Sequence, residues 1–357
     1  MLLSLQFSRP LFLVCFLLLM VAGMALDLGL LGRKENKART LRSSGFRTII
    51  WVSAGLLFSQ AVYFLHHRLH GLETVADYTV YKNQFNSSFT LYSDLARLKT
   101  AFATEAAIQY ITGYFVEYSL SVDNLFVIML IFGSFRVKQA DQQRILVWGV
   151  AGALLMRFLF VFLGGALIQS FHQILYFFGG LLVFSGLKLL FGKDKNEEMD
   201  ASHHWVVRLM SKRFRVYRGN PEGKFFVREQ GKRMITTLFL VLVVVEVTDL
   251  IFAVDSVPAI FGITQDPYIV FFSNMFAIMG LRSLFFLLGH SLEKLHTLQY
   301  GLSLILIFIG VKMLVPQWFD YMGFNHWHNL LVLGGILSLT VALALLFPKN
   351  KGIESNT

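Results

Sequence analysis

Nine apolar runs, separated by polar segments, set the hydrophobic pattern of this chain. An α-helix of about 20 apolar residues crosses the hydrocarbon core of a bilayer, and most of the runs reach that length. The sequence therefore predicts an all-α fold, a polytopic membrane helix bundle of about nine transmembrane helices. The predicted spans cover about residues 11–31, 46–66, 105–133, 144–168, 171–191, 235–262, 268–289, 301–315 and 327–347.

Composition supports a membrane protein and argues against a nucleic-acid-binding one. The chain has 357 residues, of which 55% are hydrophobic and 15% charged. Its formal charge of +10 comes from Lys and Arg concentrated between the apolar runs, as in loops beside an anionic leaflet. We therefore expect the lipid bilayer, and no nucleic acid, as a partner. The single cysteine, Cys15, excludes an intramolecular disulfide.

The distribution of positive charge predicts the orientation of the spans. The segment 32–47 carries six Lys or Arg residues and 192–234 carries eleven, whereas 263–267 and 316–326 carry none. Basic loops favour the cytoplasmic side, so we expect the N-terminus outside and the C-terminus in the cytoplasm. The first run is too long for a signal peptide, and its positive charges follow it, so it is predicted to be a retained span.

Two apolar spans carry carboxylates in matching patterns. The third span contains Glu117-Tyr-Ser-Leu-Ser-Val-Asp123-Asn124, and the sixth contains Glu246-Val-Thr-Asp249-Leu-Ile-Phe-Ala-Val-Asp255-Ser-Val-Pro258. In each, an acid (Glu117 or Asp249) is followed by four residues and then by Val-Asp. An ionisable group near the bilayer centre costs at least about 2.5–3.5 kcal/mol, so these acids require partners, of which a cation is the simplest.

Two further landmarks extend the match between the spans. Arg157 and Arg282 begin related segments in spans four and seven, and the pattern Phe-x-Gly-x-Lys recurs in spans five and eight, ending at Lys188 and Lys312. Each repeat holds three spans, so adjacent copies would cross the membrane in opposite senses. Inverted repeats with a site at their interface are typical of secondary transporters.

The repeats divide the predicted chain into five parts. Two N-terminal transmembrane helices and an outer loop cover 1–104, and the first repeat covers 105–191. A basic cytoplasmic loop, expected to be a solvated connector, covers 192–234. The second repeat covers 235–315, and the last helix and tail cover 316–357.

The residues in the two motifs suit a hard divalent cation. Carboxylate and amide oxygens favour Mn²⁺, Ca²⁺ or Mg²⁺ over Zn²⁺ or Cu⁺. Because a straight helix would not direct all three acids of span six at one ion, we expect unwinding near Val254–Pro258. The predicted metal ligands are Glu117, Asp123, Asn124, Glu246, Asp249 and Asp255, with Ser121, Asn274 and Asp27 as further candidates.

Arg157 and Arg282 are predicted to balance charge. They would neutralise two of the five carboxylates in the motifs, leaving about three negative charges for a divalent ion, or for a proton and an ion that alternate. A structural alternative stays open, in which these acids and arginines form buried pairs that only fix helix packing. Asn274 could equally bond a neighbouring helix, and Asp27 could reach water at the end of its span.

These motifs resemble the TerC family of integral membrane proteins. The resemblance rests on Ala25-Leu-Asp27-Leu-Gly29, the motifs of spans three and six, and Ala277-Ile-Met-Gly-Leu-Arg282, and it covers about residues 10–347. It implies Mn²⁺ efflux from the cytoplasm, with the motif acids as ligands, and a place in the bacterial inner membrane. It implies no tightly bound cofactor; the divalent cation is the substrate.

The sequence thus favours a secondary exporter of a divalent cation, with Mn²⁺ as the expected substrate. It would work by alternating access and exchange the cation for protons. The alternative is a membrane scaffold or stress-response protein, of the tellurium-resistance or redox-modulator type, that binds a protein partner through 192–234. An enzyme is not expected, because no nucleophile and base, or histidine-rich metal site, accompanies the paired acids.

Overall fold

The computed structural model describes residues 9–27, 41–191, 205–217, 223–229, 231–288 and 296–346, and within these ranges it is almost entirely helical. Its helices are α1 (Arg9–Asp27), α2 (Leu41–His70), α3 (Val75–Gln84), α4 (Leu95–Ser134), α5 (Gln139–Ser170), α6 (Ile174–Phe191), α7 (Trp205–Arg213), α8 (Thr237–Phe261), α9 (Pro267–Leu288), α10 (His296–Leu314), α11 (Pro316–Tyr321) and α12 (His326–Leu346). Three short strands, β1 (Val216–Tyr217), β2 (Phe226–Glu229) and β3 (Lys232–Thr236), separate α7 from α8.

The nine predicted spans each coincide with a helix. Among the described residues, seven helices are long and apolar enough to cross a membrane, and the apolar parts of α1 and α10 are shorter. Several large apolar side chains on the outer surface are more than 60% exposed, among them Leu57, Leu163, Phe177 and Leu331. Such a surface is suited to contact with lipid. The all-α polytopic membrane bundle is confirmed.

The expected unwinding near Val254–Pro258 is wrong. Helix α8 runs without a break from Thr237 to Phe261, with Pro258 inside it. Proline removes one backbone donor, but Pro258 is buried three residues before the end of the helix, and α8 stays helical around it. Apart from the Val254 carbonyl, whose usual donor would be the missing N–H of Pro258, the backbone carbonyls of this turn are therefore not released as ligands.

The helices of the two predicted repeats pack against each other in matching pairs. Helix α5 of the first repeat packs against α8 of the second, and α9 of the second packs against α4 of the first. Equivalent helices also pair with each other, most extensively α6 with α10. Reciprocal contacts are expected of two related units, and the opposite orientation of these units stays a prediction.

Glycines allow the backbones of α6 and α10 to approach closely. A Cβ atom on Gly179 would lie 3.0 Å from the Gly310 carbonyl oxygen, and one on Gly310 would lie 2.7 Å from the Gly179 oxygen. Small residues at such a crossing are the usual means of packing helices in membranes. The neighbouring Gly180 has open space around it.

This contact yields a matched pair of variants. We expect Gly179→Ala to destabilise the protein by about 1–3 kcal/mol, because the new methyl group overlaps backbone that cannot move independently. Gly180→Ala should leave stability unchanged or slightly higher. Thermal unfolding in detergent measures both, and equal midpoints for the two variants would contradict this packing.

The polar segments are more structured than predicted. Helix α4 begins at Leu95, ten residues before the predicted span, because Asp94 caps it and Leu98 and Phe102 join an aromatic cluster with α3. In 192–234, Val206 of α7 is buried in the core beside α8, and β3 pairs with β1 and β2. The described part of that segment is therefore folded onto the bundle and is not a solvated connector.

Candidate functional site

Four helices bring four of the predicted polar residues together. Arg157 of α5 is completely buried, and its Nη1 donates hydrogen bonds to Glu117 of α4 and to the Oδ1 atom of Asn274 of α9. Its Nη2 lies 4.0 Å from Asp249 Oδ1 on α8. We call Glu117, Arg157, Asp249 and Asn274 the core cluster. Arginine thus bridges both predicted repeats.

Neighbours on the same helices hold two of these side chains in place. Ser121 lies one turn after Glu117, and its hydroxyl donates to Glu117 Oε1 over 3.0 Å. The Nδ2 of Asn274 donates to the Val270 carbonyl over 2.8 Å. This bond leaves the amide oxygen of Asn274 facing Arg157, so the carboxylate and amide acceptors converge on one region.

The core cluster holds more polar groups than its own hydrogen bonds satisfy. Among the described residues, no donor reaches the buried atoms Glu117 Oε2 and Asp249 Oδ2, and no acceptor reaches Arg157 Nε or Nη2. A buried unsatisfied group costs about 1–3 kcal/mol. With both acids ionised, the two carboxylates and one guanidinium carry a net charge of −1. The cluster therefore has both the oxygen atoms and the charge to attract a cation.

Glu246 occupies a separate position against α5. A Cβ atom built on Gly152 would overlap the Glu246 carboxylate, which is the far end of a flexible side chain and can rotate aside. We therefore expect Gly152→Ala to displace Glu246 and to lower stability by at most about 1 kcal/mol. Thermal unfolding measures the effect, and a loss of about 3 kcal/mol or more would show that Glu246 is held too firmly to move.

Asp255 also lies apart from the core cluster. It is half-buried, and its Oδ1 accepts a hydrogen bond of 2.9 Å from Ser185 of α6. Because α8 is unbroken, six residues separate Asp249 from Asp255 by about 9 Å along the helix axis and about 120° around it. The acids of this helix thus face different neighbours, and one ion cannot bind them all in this conformation.

The remaining predicted residues are only partly placed. Asn124 is buried on α4. Asp123, Arg282 and Asp27 lie on α4, α9 and α1, but their side chains fall outside the described residues. Gly152 and Ser185 were not predicted from the sequence. A glycine opposite an in-span acid, and a serine beside a repeat landmark, were the only signals available for them.

Known proteins similar to this chain are membrane proteins. Residues 102–352 match the family model described as integral membrane protein TerC family. A Salmonella typhi protein named as a candidate membrane-bound redox modulator, Alx, is 37% identical over 92% of each chain. A membrane protein of Myxococcus xanthus is 34% identical over 93% of this chain and 91% of its own length. The chloroplastic thylakoid membrane protein TERC of Arabidopsis thaliana is 39% identical over 61% of this chain and 56% of its own. No solved structure matches.

Proposed function

We propose that this chain, which belongs to the TerC family of integral membrane proteins, exports a divalent metal cation. Mn²⁺ is the expected substrate, and transport proceeds by alternating access at the buried acids. Its bacterial relatives support a place in the bacterial inner membrane. The basic segments favour an outer N-terminus and a cytoplasmic C-terminus.

The observation that carries this proposal is the core cluster. Its two carboxylates come from different predicted repeats, and each has an oxygen atom that accepts no hydrogen bond from a described residue. A structural ion pair gains most of its stability when all its polar groups are satisfied. Unpaired carboxylate oxygens at the interface between repeats are better suited to a transient ligand.

The chemistry of these donors favours a hard divalent ion. Glu117 and Asp249 offer carboxylate oxygens, and Asn274 offers an amide oxygen. Such oxygen ligands suit Mn²⁺, Mg²⁺ and Ca²⁺. No histidine or cysteine contributes to the cluster among the described residues, so preference for Zn²⁺ or Cu⁺ is not expected at this position.

Arg157 would compete with the cation for the ligand oxygens of the core cluster. Its guanidinium contacts Glu117 of the first repeat and Asn274 of the second, which are the groups that would bind the cation. An arriving divalent ion would take over these oxygens, and Arg157 would return to them after release. Protons can replace the metal on the remaining carboxylates, which would couple export to proton entry.

Cellular metal content tests the proposal. A manganese-loaded, export-deficient host would express the wild type or Asp249→Asn at matched membrane levels, with iron, zinc, calcium and magnesium measured alongside. We expect the wild type to lower manganese selectively and Asp249→Asn to lose the effect, since Asp249 is the carboxylate that the second repeat contributes to the core cluster. Unchanged manganese in cells with the wild type would refute export.

A scaffold function is the second candidate, and the surface formed by the basic segment 192–234 favours it. A cavity of about 810 Å³ between α7 and the start of α8 is lined in part by Lys212, Arg213 and Arg215, which suits an acidic partner. Leu209 of α7 is 58% exposed nearby. A scaffold should lose its partner when Lys212, Arg213 and Arg215 are replaced by Ser, whereas an exporter should keep its manganese phenotype. The single cysteine offers no thiol pair for redox chemistry.

A further inference from the structure

A second polar cluster lies at the end of the bundle that carries α3. His66 and His70 are one turn apart on α2, and both point to Asp266 in the loop between α8 and α9. The Nε2 atoms of His66 and His70 lie 2.8 Å and 2.9 Å from Asp266 Oδ2. All three side chains are buried, and Asp266 has no exposed surface.

The three side chains offer the atoms that a divalent transition metal requires. The two nitrogens and the carboxylate oxygen all lie within 4.8 Å of one another. Around a tetrahedral Zn²⁺ ion, ligands at about 2.0–2.1 Å lie about 3.3 Å apart. Small rotations of these side chains would therefore admit an ion. Two imidazoles and one carboxylate form a recurrent set for zinc and neighbouring metals.

Surrounding groups orient the ligands. Tyr81 of α3 donates a 2.6 Å hydrogen bond to Asp266 Oδ2, and the backbone N–H of Tyr268 donates to Oδ1 over 2.8 Å. The ring of His66 stacks on Phe102, with centroids 5.7 Å apart. Bonds of this kind around first ligands raise the metal affinity of natural sites.

The core cluster cannot account for this arrangement. Asp249 lies twelve residues before Phe261, the last residue of α8, which is about 18 Å along the helix. The donor atoms also differ, because the core cluster is built from oxygens and this one mainly from imidazole nitrogens. The two clusters therefore suit different ions at different depths of the bundle.

We propose that His66, His70 and Asp266 form a buried binding site for a borderline transition-metal ion, Zn²⁺ in preference to Mn²⁺. The ion would join α2 to the loop between α8 and α9 beneath α3. This site stands independently of the export proposal, because none of its residues belongs to the core cluster.

The signal in the sequence was a His-x-x-x-His spacing at the end of the second span. Histidines at i and i+4 lie on one face of a helix, as in helical zinc motifs. The third ligand could not be found in this way, because Asp266 is about 200 residues distant and comes close only through the packing of α2 against α9.

Cobalt binding tests the site. The probe is Co²⁺, whose visible absorption shifts and strengthens when protein ligands hold it in a tetrahedral site, added to the chelator-treated, tag-free full chain in detergent. The chain would carry Asp249→Asn to remove charge from the core cluster, and alanine at His203 and His204, since adjacent histidines can bind Co²⁺ themselves. We expect about one Co²⁺ per chain, displaced by Zn²⁺ more readily than by Mn²⁺.

Three substitutions in that background separate ligation from packing. His70→Ala and Asp266→Asn should weaken Co²⁺ binding by more than about tenfold. His67→Ala, which removes an imidazole from the same turn, should leave it unchanged. If the background chain, before any of these three substitutions, showed no Co²⁺ absorption band, the proposal would be overturned. This result does not depend on whether the variants fold. Equal binding by the His70→Ala and His67→Ala chains would also overturn it.

Discussion

Asp249→Asn is expected to abolish manganese export at an unchanged level of protein in the membrane. The substitution keeps the shape of the side chain but removes the charge and one ligand from the second repeat. A charge-assisted ligand contributes about 1.5–3 kcal/mol, so affinity should fall by about ten- to a hundredfold. Asp249 lies 4.0 Å from Arg157 without a close hydrogen bond, so its loss should disturb the fold little.

Cellular manganese measured at several external concentrations checks this prediction. Asp320→Asn, in an exposed position on α11, is the matched control and should export normally. If the Asp249→Asn chain lowered cell manganese as well as the wild type, the core cluster would not bind the transported ion, and its acids would be structural.

Arg157→Met should be the most destabilising single substitution in the core cluster. It leaves Glu117 as a fully buried carboxylate without Arg157, its cationic partner among the described residues. Removing one member of a buried pair costs about 3–5 kcal/mol, because the remaining charge stays out of water. The double variant Arg157→Met/Glu117→Gln should recover most of this loss, since both charges of the pair are then removed.

Thermal unfolding in detergent, together with the amount of folded protein in the membrane, measures the two variants. Arg97→Met is a suitable control, because Arg97 is 78% exposed and its pair with Asp94 contributes at most about 1 kcal/mol. A double variant less stable than Arg157→Met would show that Glu117 and Arg157 do not stabilise each other as a pair.

The spans were predictable because lipid imposes a simple rule. Every backbone polar group must be satisfied within the hydrocarbon, so long apolar runs become helices, and run length locates them. The early start of α4 was missed because Leu98 and Phe102 pack in an aromatic cluster outside the predicted span, which hydropathy does not register.

The contacts among the polar in-span residues were less predictable from the sequence than the positions of those residues. The contacts of Arg157 with Glu117 and Asn274 join residues that the sequence had already identified, because an in-span charge requires a partner. The expectation of a broken α8 failed at Pro258, since a proline within one turn of a helix end disturbs few hydrogen bonds. Ser185 was missed because its place beside the Phe-x-Gly-x-Lys landmark does not indicate its contact with Asp255.

Purified protein in vesicles provides the most direct test of the export proposal. Wild type and Asp249→Asn would be reconstituted at equal density with a manganese-sensitive dye inside, and Mn²⁺ would be added outside with and without a proton gradient. We predict that wild type carries Mn²⁺ across the membrane faster than Mg²⁺ or Ca²⁺, and that Asp249→Asn vesicles match protein-free ones. Wild-type vesicles no faster than protein-free vesicles under either condition would contradict transport by this chain.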